Sequence, residues 1–134
     1  MLEIIGTQQQ NTVNQTFSII MPVSTNREET VHRAIRSLLN QTYPKELFEI
    51  QIVIDGHRGD EQPITRQIES YTDERVKIAK VHTLRYERCI SRNDGYRAAT
   101  KDWICNLDSD DEYMTNYLDR MNWAINEFPD YKVF

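Results

Sequence analysis

Four acidic side chains fall within five positions at Asp108-Ser109-Asp110-Asp111-Glu112. Like charges this close repel, so the run needs solvent or a cation to offset its cost. In an extended segment Asp108 and Asp110 point to the same side. Two carboxylates converging there suit a hard divalent ion. Mg2+ or Mn2+ typically takes one or two protein carboxylates and shares the rest of its shell with water and phosphate oxygens. The competing reading is a solvated acidic turn that caps the next helix, because Asp and Glu favour a helix N-terminus. Two downstream residues exclude an EF-hand: Tyr113 stands where that loop requires glycine, and Asp119 where it requires glutamate.

Two other segments carry polar groups beside apolar runs. Ile52-Val53-Ile54-Asp55-Gly56 ends in an acid and a glycine. That carboxylate either accepts hydrogen bonds from a nucleobase N–H or a sugar hydroxyl, or belongs to an ordinary Asp-Gly turn. In Ser91-Arg92-Asn93-Asp94-Gly95 the guanidinium of Arg92 either meets a phosphate or lies on the surface. His32, His57 and His82 are scattered, with no ligand spacing to Cys89 or Cys105. His32 falls on the polar face of a helix, and His57 follows Asp55-Gly56 closely enough to approach the same ligand. The sequence has no Gly-x-Gly-x-x-Gly, no Walker loop and no Gly-x-Ser-x-Gly elbow, so a Rossmann dehydrogenase, a P-loop enzyme and a serine hydrolase are unsupported.

The elements that must position these residues alternate. Residues 1–16 read as a polar, flexible lead-in, and the domain spans 17–134. Phe17 to Val23 is a buried strand. Val31, Ala34, Ile35, Leu38 and Leu39 then make one helical face, with Thr25 and Glu28 spaced as a capping box, and Tyr43-Pro44 ends the segment. Phe48–Ile54 is a strand, Pro63–Tyr71 a helix, Val76–Val81 a weaker strand, and Cys89–Thr100 a helix that contains Gly95. Trp103–Leu107 is a strand, and a long stripe from Met114 to Phe128 is a core-facing helix. Tyr131–Phe134 reads as the start of another strand. Strand–helix alternation specifies an α/β fold, a mostly parallel sheet with helices on both faces. Ligands of such folds bind outside the carboxyl ends of the strands, which is where both acidic motifs fall.

The 134 residues suffice for one domain, and 39% apolar with 28% charged residues is a globular composition. A net charge of −5 argues against nucleic acid as a partner and makes a cation necessary between this chain and any polyanion. Two cysteines outside any zinc or Cys-x-x-Cys spacing read as buried free thiols. Without a signal peptide or a membrane segment the expected location is cytoplasmic, or the inner face of a membrane through regions or partners outside this chain.

In order along the chain, five segments resemble the family 2 glycosyltransferases, which have the GT-A (Rossmann-like) fold. Ser18–Val23 is similar to the family's first strand. Asn26-Arg27-Glu28, with Ser37 to Tyr43, is similar to its first helix and the Gln-Thr-Tyr that ends it. Ile52–Gly56 resembles the nucleotide-reading strand, Ser91–Gly95 the Ala-Arg-Asn-x-Gly segment, and Trp103–Asp111 the Asp-x-Asp strand. The resemblance covers about Phe17 to Phe128. It implies a nucleotide-diphosphate sugar donor, most often a UDP-sugar, a Mn2+ or Mg2+ cofactor, and inverting transfer to an acceptor that is a saccharide, lipid or protein.

The roles implied by the resemblance are specific. Pro22 and Val23 line the base pocket, and Asp55 accepts from the base. Arg92 lies near base or phosphates. Asp108 holds the ribose or a metal-bound water, and Asp110 ligates the metal. The sequence departs from the family pattern at Ile54, where a first acid is usual, in a longer loop after Met21, and at Lys101, where a small residue is common. The family's general base lies downstream of the Asp-x-Asp region, which places it beyond residue 134 and leaves no catalytic residue assigned. The rival classes are a structural acidic domain with no ligand, a nucleotide-sugar-binding module without turnover, separated by an assay of transfer, and a nucleotidylyltransferase. The latter needs a basic, glycine-rich loop where this chain has Ser24-Thr25-Asn26-Arg27.

Overall fold

The computed structural model describes residues 12–56, 60–82 and 88–134, the side chains of Arg88 and Cys89 excepted. Strand β1 (Phe17–Ser24) leads to helix α1 (Glu28–Leu39), a 3-10 turn (Lys45–Leu47) and β2 (Phe48–Asp55). Next come α2 (Gln62–Glu69), β3 (Val76–His82), α3 (Arg88–Ala98), β4 (Trp103–Asn106) and α4 (Tyr117–Glu127). The four strands form one parallel sheet in the order β3-β2-β1-β4.

Side chains alternate across a strand, and the two faces find different partners. Ile19, Met21 and Val23 of β1 join Ile50, Ile52 and Ile54 of β2 in one core with Val31, Ile35 and Leu38 of α1, Ile64 and Ile68 of α2, and Leu118 and Ile125 of α4. The intervening residues Ile20 and Val53 face α3, where a Cβ atom on Gly95 would meet both. Every residue of β2 is buried, as a central parallel strand requires. The expected α/β fold, helices on both faces, is therefore the observed one.

Three details differ from the sequence reading. Thr25 does not cap α1: the N-cap is Arg27, with no side-chain cap bond. The Thr25 N–H donates to Asp55 O at 3.2 Å, so Thr25 is held to the end of the sheet, short of the helix start. Helix α4 starts at Tyr117, leaving Met114 outside it and 77% exposed. Tyr131–Phe134 is not a strand. Tyr131 N–H closes a turn onto Phe128 O, and the rings of Tyr131, Phe134 and Trp103 pack edge to face.

Just before the domain, Val13, Gln15 and Thr16 are tied down. Val13 N–H and Gln15 N–H donate to Asn126 Oδ1 and Asn122 Oδ1, and Asp102 N–H donates to Thr16 Oγ1. Among the described residues no helix is long and apolar enough to cross a membrane.

Candidate functional site

The carboxyl ends of β1, β2 and β4 lie side by side, and the strand order reverses direction at β1. This is the switch point at which open α/β sheets form a ligand crevice. Leu107 N–H donates to Ile20 O at 3.1 Å, the last backbone rung from β4 to β1, and the chain then leaves the sheet. Because the backbone polar groups of a strand alternate in direction, Pro22 faces the same side as Ile20, where β4 has already ended. A proline there forfeits no ladder bond, and the gap between the strands opens.

The acidic run follows directly on this last rung. Asp111 N–H donates to Asp108 O at 3.0 Å, which turns the backbone so that a carboxylate oxygen from each of Asp108, Asp110 and Asp111 lies within 4.8 Å of the others. All three side chains are exposed, whereas Ser109 between them is buried. The turn is not a helix cap, because α4 begins beyond it with Asn116 as N-cap. Three converging oxygen anions repel, and hard oxygen donors in this number fit Mg2+ or Mn2+.

Helix α3 supplies the counter-charge. Arg92 donates from Nη2 to Asp108 Oδ1 at 2.9 Å, while its Nε is buried without a partner. Ser91 Oγ on the same helix and Thr25 Oγ1 after β1 are also buried and unpaired. A cleft of about 340 Å³ opens beside Arg92 and is lined by Asn106, Leu107, Asp108, Asp111, Glu112 and Tyr113. Tyr113 donates to Asn106 O, and its ring stacks on Tyr117 at 3.9 Å between centroids. Burial pushes the Tyr113 phenol well above its usual range, so it remains a neutral donor.

Of the residues singled out in the sequence, Arg92 and Asp108 line this cleft, and Asp110 belongs to the carboxylate group beside it. Pro22, Val23 and Asp55 lie at the adjoining strand ends rather than in the cleft wall. Val23 and Asp55 are buried, Pro22 is half-buried, and Asp55 pairs in register with Ser24. His57 lies outside the described residues. His32 Nδ1 meets the Tyr71 hydroxyl at 2.6 Å. Cys105 is a free thiol pushed up to about 12 by burial, so it is no nucleophile.

Sequence reasoning passed over Asp111 as a ligand, along with Asn106 and Tyr113 in the cleft wall. It also missed His82 Nε2, which meets Asp94 Oδ2 at 2.6 Å and ties the end of β3 to α3. Asp111 was hidden by the alternation of an extended segment, which sends it to the side opposite Asp110. The His82–Asp94 pair carried no signal, since its members sit in different elements.

Comparison with known proteins fits this geometry. The family model described as Glycosyl transferase family 2 matches residues 18–131. Poly(ribitol-phosphate) beta-N-acetylglucosaminyltransferase TarP of Staphylococcus aureus (strain N315) is 33% identical over 94 residues, 70% of this chain and 28% of that protein. This chain thus spans less than a third of that relative's length. A crystal structure of S. aureus TarS 1–349 shares the fold with a TM-score of 0.75 and 24% identity, over 85% of this chain and 33% of that one. TarS 1–349 in complex with UDP-GlcNAc gives 0.74 and 26%, over 85% and 32%. The mannosyltransferase PcManGT from Pyrobaculum calidifontis, in complex with GDP-Man and Mn2+, gives 0.69 and 18%, over 98% and 41%. A matching family model that runs from the first strand through the acidic turn and α4 places this chain in glycosyl transferase family 2.

Proposed function

We propose that this chain is the donor-binding part of a metal-dependent glycosyltransferase and that its donor is a UDP-sugar. The observation that carries this reading is the convergence of Asp108, Asp110 and Asp111 at the switch point of the sheet, with Arg92 against Asp108. Pro22 and Val23 bound the pocket for the base. Asp55, at the end of the neighbouring strand, accepts from a base N–H. Arg92, whose Nη2 donates to Asp108 at the cleft wall, is placed to meet a phosphate or the base edge with its guanidinium. Asp108 holds the ribose or a metal-bound water, and Asp110, joined by Asp111, holds Mn2+ or Mg2+. When bound, the metal stabilises the negative charge that builds on the departing diphosphate. The chain's own contribution is to fix the donor between strand ends and to present that charge to a cation. TarS in complex with UDP-GlcNAc supports the choice of a uridine donor, and PcManGT with GDP-Man and Mn2+ shows the same fold holding a metal.

Competition calorimetry in Mn2+ tests the donor assignment. UDP-GlcNAc is expected to bind at least tenfold more tightly than GDP-mannose, a preference of about 1.4 kcal/mol. Equal affinities would contradict the uridine assignment, and no binding of either would contradict the donor site itself.

A further inference from the structure

We propose that Gln41 is a positioning residue for the acidic turn: it clasps the segment that carries Asp108, Asp110 and Asp111 to the end of helix α1. This inference rests on the donor-site reading above. Gln41 is buried, and its amide is fully engaged. Nε2 donates to Ser37 O at 3.1 Å and to Met114 O at 2.6 Å, while Oε1 accepts from Leu118 N–H at 3.0 Å. One side chain therefore ties Met114 and Leu118, the link that follows the acidic turn and leads into α4, to the end of α1. Its oxygen satisfies an amide in the first turn of α4, where Asn116 provides no side-chain cap.

Its neighbours extend the clasp. Ser37 Oγ accepts from Tyr113 N–H at 3.1 Å, and Thr42 N–H donates to Thr115 O at 2.8 Å. Thr42 Oγ1 also bonds Asp119 at the start of α4. The acidic turn thus hangs between two anchors. At one end Leu107 N–H is bonded to Ile20 O, and at the other Tyr113 N–H is bonded to Ser37 Oγ. Between them the one backbone bond among the described residues is Asp111 N–H to Asp108 O. Arg92 pairs with Asp108 alone, and three mutually repelling carboxylates on so few internal bonds would spread apart without a further external hold. The end of α1, where Gln41-Thr42-Tyr43 lies, supplies it. Groups that orient metal ligands without touching the metal typically change metal affinity when removed.

The test compares four chains by calorimetry for Mn2+-dependent UDP binding, with thermal unfolding measured in parallel. Gln41→Met keeps the side-chain length and removes the bonds, and is expected to weaken Mn2+ in the presence of UDP by about 10- to 100-fold. Asn126→Ala cuts a more exposed joint at the other end of α4, where Asn126 Nδ2 donates to Val13 O at 2.7 Å. It is expected to lower the melting temperature without changing Mn2+ affinity, which separates positioning from general stability. Asp110→Ala reports on the donor site itself.

Wild-type Mn2+ affinity in a folded Gln41→Met, alongside loss in Asp110→Ala, would overturn the positioning role alone. No metal-dependent binding in the wild-type chain would overturn both readings. Should Gln41→Met not fold, Ser37→Ala removes the Tyr113 anchor together with a local bond to Ala34 O within α1, and unchanged Mn2+ affinity in that variant would likewise overturn the clasp.

Discussion

A Cβ atom on residue 95 would stand 2.3 Å from Ile20 Cγ2, so Gly95 and Ile20 together set how closely α3 lies on the sheet. Ile20 is fully buried in a central strand and cannot swing aside. Gly95→Ala gains helix propensity but forces α3 outward, and its net effect is expected to be a loss of about 1–2 kcal/mol. Urea denaturation measures it. Because α3 also carries Arg92, the same variant should weaken donor binding. Stability equal to wild type would show that the helix shifts freely and that the close contact sets nothing.

At the opposite end of the sheet, Glu49 is buried on the face that packs against α3. Burial by itself would raise its pKa. Hydrogen bonds from Ser18 Oγ at 2.6 Å, Thr100 N–H at 2.7 Å and Lys77 Nζ at 3.1 Å outweigh burial and hold the carboxyl down at about 2, against an ordinary 4.5. A pKa depressed by folding contributes stability that is full above the unfolded value and is lost as pH falls through the folded one. The chain should therefore lose stability between about pH 5 and pH 2. Glu49→Gln should lower stability at pH 7 by about 1–3 kcal/mol and flatten that acid response. An unchanged acid slope in Glu49→Gln, followed by circular dichroism, would place the acid sensitivity elsewhere.

Asp55 tests the base-reading role. If its carboxylate accepts from the base, Asp55→Asn should cost UDP about 1.5–3 kcal/mol, the worth of a hydrogen bond to a charged group, or roughly 10- to 150-fold in affinity. Inorganic diphosphate, which has no base, should lose far less. Titrating both ligands into both chains decides the matter: unchanged UDP affinity would return Asp55-Gly56 to the role of a turn.

The legible parts of this protein were those written in local periodicity. The apolar runs and the stripe at Val31, Ala34, Ile35 and Leu38 fixed the alternating elements, and the rule that ligands bind at strand ends then placed Asp55 and Asp108 at the carboxyl ends of β2 and β4, the two strands that flank β1. What was not legible depends on distant contacts or on a backbone turn. Helix α4 begins at Tyr117 because its first turn is met by Gln41, from another helix. Asp111 joins the carboxylates because the chain turns at Asp108, whereas alternation in an extended segment would have sent it to the other side. Thr25 had the spacing of a cap, but its amide is bonded to Asp55 O, which keeps it with the sheet.

The central claim is that the acidic turn holds a cation which in turn holds the diphosphate. Thermal unfolding with UDP, in Mn2+ and in EDTA, tests it most directly, because a ligand raises the melting temperature only if it binds the folded state. UDP is predicted to stabilise the chain in Mn2+ and not in EDTA. Asp110→Ala should abolish the shift, and Glu112→Ala, outside the carboxylate group, should largely preserve it. Equal stabilisation by UDP in EDTA and in Mn2+ would contradict the account.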